Sequence, residues 1–132
     1  MKSDQIVVLI EDDPVILSLM TRMFRTEGFL VEGFTHIRTF VDVISSGGSN
    51  RFSQVVLILS ELEFQGESQR AVIDCLRLVR ASRGFSVTPI FIHSRRSIVA
   101  DEIFENLRPI KQFLKAEGDI SKIVKEAMSL CS

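Results

Sequence analysis

Tyrosine and tryptophan are absent from this chain, so its ten aromatic residues other than histidine are all Phe, rings that pack but carry no polar tip. Cysteine occurs only at Cys75 and Cys131, with no CxxC and no metal-type spacing, which argues against metal or redox chemistry at sulfur. An excess of either charge is missing too. Sixteen basic side chains face 17 acidic ones, a net charge of -1, so nucleic acid and anionic membranes are not expected as partners through bulk attraction. No apolar run approaches the roughly 20 residues of a membrane-spanning helix. Met1-Lys2-Ser3-Asp4-Gln5 leads straight into a strand-like segment, so neither a signal peptide nor an anchor is expected, and the expected location is cytoplasmic. There is no internal repeat, low-complexity tract or dividing linker, and residues 1–132 are expected to form a single domain.

What is present is an alternation of strand and helix signals. Ile6 to Ile10 is a continuous apolar, β-branched run, as expected of a strand covered on both faces. Asp13-Pro14 then reads as a helix start, with Ile16, Leu19, Met20, Met23 and Phe24 at helical spacing and Gly28 as the stop. Phe29 to Phe34 is a weaker second strand, and Thr35 is placed to cap a helix reaching about Ile44. Val55 to Ser60 predicts a third strand, and Glu61 to Glu67 a polar loop. Ser68 is placed to cap a third helix that carries Val72, Cys75, Leu76 and Val79 inward and ends near Gly84. Pro89 to His93 predicts the fourth strand, Ser97 to Leu107 a helix, Ile110 to Leu114 the fifth strand, and Asp119 the cap of a final helix. Five strands alternating with five helices predict an α/β domain with a mainly parallel sheet.

In an open doubly wound sheet, ligands sit beyond the carboxyl ends of the strands. Those ends are occupied by Glu11 and Asp12, Glu61, Ser94 and Lys115. In the strand order 2-1-3-4-5 the first and third strands are neighbours, so Glu11, Asp12 and Glu61 converge and repel one another. A Mg²⁺ ion or the Lys115 ammonium would relieve that repulsion.

These residues resemble the receiver domain of two-component response regulators, over about Gln5 to Met128. Leu9-Ile10-Glu11-Asp12-Asp13-Pro14 resembles the acidic first motif, in which two adjacent acids help to hold Mg²⁺. Pro89-Ile90-Phe91-Ile92-His93-Ser94 resembles the fourth strand, whose closing Thr or Ser reaches a phosphoryl group, and Phe113-Leu114-Lys115 the fifth, whose Lys pairs with it. The resemblance implies a flavodoxin-like receiver fold, a five-stranded parallel sheet of order 2-1-3-4-5 with helices on both faces. It also implies metal contacts from Glu11, Asp12 and the backbone carbonyl of Glu63. In that family an Asp closing the third strand takes a phosphoryl group from a kinase phosphohistidine, and the acyl phosphate shifts the fourth helix and fifth strand.

Three departures bear on this scheme. Glu61 stands at the phosphoacceptor position, and no Asp occurs between Val43 and Ile73 to replace it. The extra methylene displaces the carboxylate by roughly a C–C bond length; a misplacement of about 1 Å costs on the order of a hundredfold in rate. Lys115-Ala116 replaces the family's Lys-Pro, and a cis bond there would cost about 2.5–4 kcal/mol, so trans is expected. Gln112 or Phe113 takes the place of the switch aromatic.

The expected function is therefore that of a receiver-like, non-enzymatic pseudo-receiver module of a two-component phosphorelay. It would act by contact with proteins, a sensor kinase or downstream effector, without ordinary aspartyl phosphorylation. The fourth predicted helix, fifth strand and fifth helix are its expected contact face, including for a homodimer. The alternative is a Mg²⁺-dependent phosphoryl-handling receiver or small enzyme built on Glu11, Asp12 and Glu61, although the chain has no P-loop and no apparent general base besides these acids. A flavodoxin-like nucleotide binder is disfavoured by the acidic loop after the first strand. Plainer readings stand beside these: Asp13 as an N-cap, Glu61 as an ion-pair partner of Lys115, His93 as a packing histidine, Arg95-Arg96 as a solvated loop, and Phe40, Phe104 and Phe113 as core.

Overall fold

A computed structural model describes residues 4–47, 50–82, 84–94, 107, 110–114 and 120–131. The strands β1 (Ile6–Ile10), β2 (Leu30–Phe34), β3 (Val55–Glu61), β4 (Ile90–Ser94) and β5 (Ile110–Leu114) form one sheet in the order β2-β1-β3-β4-β5. Every neighbouring pair is parallel. This is the doubly wound order that the sequence predicts.

All five residues of β1 are at most 1% exposed, because each face of the sheet carries its own apolar layer. Ile6, Val8 and Ile10 face one layer, with Ile37 and Phe40 from α2 (Ile37–Ser45) and Val72, Leu76 and Val79 from α3 (Gln69–Ala81). Val7 and Leu9 face the other, with Met20 and Phe24 from α1 (Pro14–Thr26) and Ile123, Val124 and Ala127 from the C-terminal helix α4 (Ile120–Cys131). The period-two alternation of a strand thus serves two cores at once. No helix among the described residues is long and apolar enough to cross a membrane.

Local structure departs from the sequence expectations at three places. The N-cap of α2 is His36, not Thr35: its Nδ1 accepts the Arg38 N–H at 3.1 Å, so a ring nitrogen does what a hydroxyl was expected to do. The third and fourth strands each run one residue further, to Glu61 and Ser94, because both of those residues remain paired in the ladder, Glu61 with His93 and Ser94 with Leu114. The segment after β3 is not uniformly polar. Leu62 and Phe64 are buried, with Glu63 between them half-buried. By contrast, Asp13 caps α1 as expected, its Oδ1 accepting from Val15 N at 2.9 Å and Ile16 N at 3.4 Å, with Pro14 in the first turn. Most of the expected helix from Ser97 to Leu107, Arg95-Arg96, Lys115 and Asp119 lie outside the described residues, and with them the fourth-helix part of the expected contact face.

Candidate functional site

The register Ile10↔Ser60 places the end of β1 level with the end of β3, and so brings the acids together. One carboxylate oxygen each from Glu11, Asp12 and Glu61 lie within 4.8 Å of one another. Glu11 and Glu61 are 1% and 3% exposed, while Asp12 is half-buried. Backbone amides orient them. Asp12 N–H donates to Glu61 Oε2 at 3.3 Å, and Asp13 N–H donates to Glu11 Oε2 at 3.2 Å. Ser60 Oγ–H donates to the Glu61 carbonyl at 2.8 Å. The amide run at the β1–α1 junction therefore holds two carboxylates, one just after β1 and one closing β3, in one cluster, a contact between groups 49 residues apart in the case of Asp12 and Glu61.

On the neighbouring strand, His93 is 5% exposed and pairs with Glu61, and Ser94 is fully buried one residue further along. Lys115 follows Leu114, the β5 partner of Ser94, but lies outside the described residues. Beyond the acids opens a cleft of about 380 Å³ whose walls include Asp12, Glu61, Glu63, Phe64, Gln65 and Glu67. The structure thus gathers Glu11, Asp12 and Glu61 into the cluster and sets Glu63 at the cleft beside it. Phe40 is in the core.

One wall of the cleft involves residues that the sequence did not single out. Glu67 meets Arg38 of α2 in a two-pronged contact, Nε to Oε1 at 2.6 Å and Nη2 to Oε2 at 3.2 Å. The hydrogen bond from Arg38 holds the Glu67 carboxyl below the usual carboxylate range, and the same bond raises the Arg38 pKa. His36 Nε2 stands 3.7 Å from Glu67 Oε1, and the His36 ring lies against Phe64 with centroids 5.0 Å apart. These partners are separated by about thirty positions, and no local pattern joins them.

At the opposite edge of the sheet is a second missed residue. Arg80, 8% exposed, donates from Nη1 to the carbonyls of Phe85 and Thr88 and from Nη2 to that of Leu107, each at 2.7 Å. Burial pushes the guanidinium's pKa down. Here a signal existed: Arg80 continues the inward stripe of Val72 and Leu76 at a spacing of four.

No protein family model matches the sequence, and no curated protein is significantly similar to it. Solved structures do match. The chemotaxis response regulator CheY4 of Vibrio cholerae superposes with a TM-score of 0.74 at 12% identity, over 96% of this chain and 98% of that one. A response regulator receiver protein from Sinorhizobium medicae gives 0.72 at 16% identity, over 96% and 93%. The receiver domain of the sensor histidine kinase PA1611 from Pseudomonas aeruginosa, which has a magnesium ion coordinated in its active-site cleft, gives 0.70 at 16% identity, over 97% and 98%. It is the fold of CheY-like response regulator receiver domains that this chain adopts, over nearly its whole length.

Proposed function

We propose that this chain is a receiver-type module of two-component signalling that works by binding proteins, a kinase or a downstream effector, and does not pass through an ordinary aspartyl phosphate. The observation that carries this reading is Glu61. It closes β3 inside the acid cluster of a receiver fold, and its Oε2 accepts the Asp12 N–H. A phosphoacceptor has to present one carboxylate oxygen in line with an incoming phosphorus. The additional methylene moves that oxygen by about 1.5 Å, a C–C bond length, and the Asp12 amide engages it on the β1 side. Glu61 then acts as a permanent negative group at the strand end. It imitates part of the charge of a phosphoryl group, with fewer oxygens.

The donor set suits a hard divalent cation. Carboxylate oxygens are the ligands Mg²⁺ takes, usually from one or two side chains with water completing the octahedron. At about 2.1 Å per ligand, oxygens on opposite sides of one ion are roughly 4.2 Å apart, so the 4.8 Å spread of Glu11, Asp12 and Glu61 closes onto an ion with small side-chain movements. In this reading Glu11 and Asp12 hold the ion and the Glu63 carbonyl, on the loop lining the cleft, is a further ligand. Bound there, the cation supplies neutralisation of the clustered acids. We take the module to be non-enzymatic and cytoplasmic, in keeping with a receiver that contacts a sensor kinase or effector.

The test is incubation with acetyl phosphate and Mg²⁺ followed by intact-mass measurement. The wild-type chain is expected to remain unmodified and Glu61→Asp to gain a phosphoryl group. A stable phosphoryl adduct on the wild-type chain would overturn the proposal. Release of phosphate from acetyl phosphate with turnover would favour phosphoryl handling instead.

A further inference from the structure

We propose that His36 and Arg38, on the first turn of α2, are positioning residues for the acid cleft, holding the loop between β3 and α3 where Glu63 faces a divalent cation. This inference rests on the cation reading of the cleft given above.

The loop from Leu62 to Ser68 is neither strand nor helix. A backbone turn bond runs from Glu67 N–H to the Phe64 carbonyl at 3.1 Å, with Gly66 at φ 81° completing the turn. Two side chains of the loop are held by the same helix turn. Phe64, 3% exposed, is covered by the His36 ring. Glu67 is gripped by both prongs of Arg38. The two anchors are themselves joined, because His36 Nδ1 accepts the Arg38 N–H. That bond leaves Nε2 of the neutral ring to carry the proton, on the side of Glu67 Oε1. Phe64, next to Glu63, and Glu67 are thus both tied to α2.

The geometry assigns Arg38 a role distinct from that of a nearby positive charge, and the two roles differ in sign. Glu67 shares the cleft with Asp12, Glu61 and Glu63. Were Arg38 only a cation beside an acidic pocket, removing it would leave the pocket more negative and strengthen Mg²⁺ binding. As a positioning residue its removal frees the loop and weakens binding, as loss of a group that orients metal ligands does. Arg38 is 57% exposed on its side chain, and exposed ion pairs add little to stability, so its variants are expected to fold as the wild type does.

Calorimetric titration of the full chain with MgCl₂, and with MnCl₂, decides between them. Arg38→Met is expected to weaken binding on the order of tenfold, and Arg38→Lys, which keeps the charge but loses the planar fork, to weaken it to a smaller degree. His36→Asn keeps a helix cap but removes the ring over Phe64, and is expected to weaken binding as well. Unchanged or tighter binding by Arg38→Met overturns the inference. A second arm uses metal-free protein: amide NMR signals of Glu63, Gln65 and Gly66 are expected to shift and broaden in Arg38→Met and His36→Asn while those of β1 stay fixed. If the wild type binds neither cation, the cation reading fails, and loop signals unmoved in both variants overturn the positioning role separately.

Discussion

The two edges of the sheet bury charge in opposite ways. Along the N-terminal edge one guanidinium, that of Arg80, is taken out of water and met by three backbone carbonyls at 2.7 Å. At the C-terminal edge three carboxylates of one sign are pressed to within 4.8 Å of each other, two of them almost fully buried. The first arrangement gives hydrogen-bond partners to a charge whose desolvation would otherwise be costly, and at the same time satisfies carbonyls of irregular backbone. The second sets groups of one sign side by side at the strand ends, oriented by backbone amides of the β1–α1 junction. The difference separates a structural use of charge from a functional one. Arg80 ties the α3–β4 connection to Leu107, three residues before β5, whereas Glu11, Asp12 and Glu61 lie at the strand ends where a doubly wound sheet places its ligands.

This contrast breaks first at Arg80. Arg80→Ala leaves the Phe85, Thr88 and Leu107 carbonyls without their shared donor, and is expected to cost on the order of 3–5 kcal/mol in urea unfolding; a loss below about 1 kcal/mol would place Arg80 among surface residues. At the other edge the expected effect is smaller. Glu61→Gln keeps an oxygen for the Asp12 N–H while removing one acid from the cluster, so its change in urea unfolding is expected to be well below that of Arg80→Ala. Mg²⁺ affinity of that variant should fall in titration. Asp13 sharpens the comparison, being an acid adjacent to the cluster but structural in role: Asp13→Ala loses the cap on Val15 and Ile16 and is expected to destabilise by about 1 kcal/mol, with Mg²⁺ binding unchanged.

The smallest effect is the pH dependence of the Arg38–Glu67 contact. Glu67 ionises below its ordinary value in the folded chain, so its contribution is fully present above the unfolded carboxylate pKa and is lost as pH falls through the depressed folded value. Arg38→Met should therefore lower stability slightly and evenly above the usual carboxylate range and flatten the acid limb below it, so that urea unfolding followed across pH shows the two proteins converging at low pH.

Much of this was legible in the sequence because it depends on local periodicity. The unbroken apolar runs of β1 and β3 declare strands covered on both faces, and the acids that end them mark the edge where a doubly wound sheet places ligands. The Asp13-Pro14 pair announces its helix. What escaped was set by contact across the fold. His36 as a cap, Arg38 with Glu67, and Phe64 under a histidine ring all require α2 and the β3–α3 loop to be side by side, which no window of sequence contains. Leu62 and Phe64 alternate with Glu63 and Gln65 across only four residues, too short a stretch to distinguish a half-buried loop from a polar one. Arg80 is different. It lay on a visible apolar stripe, and a charged residue on such a stripe deserves the question of which carbonyls meet it.

The central place of β1 has a consequence for the chain while it is being made. Its two flanking strands begin at Leu30 and Val55, so β1 is bare on both sides, then on one, until synthesis has passed Glu61, nearly halfway through these 132 residues. Ile6–Ile10 is short, β-branched, uncharged and free of proline, the composition that joins any available strand edge and seeds aggregates. Three consecutive acids follow it immediately, Glu11, Asp12 and Asp13, and then a proline. Like charges at the end of such a segment repel its stacking on other copies, and proline stops it from lengthening. The acids that end β1 thus stand where gatekeeper charges stand in other chains, beside an apolar strand that is uncovered until β2 and β3 close over it.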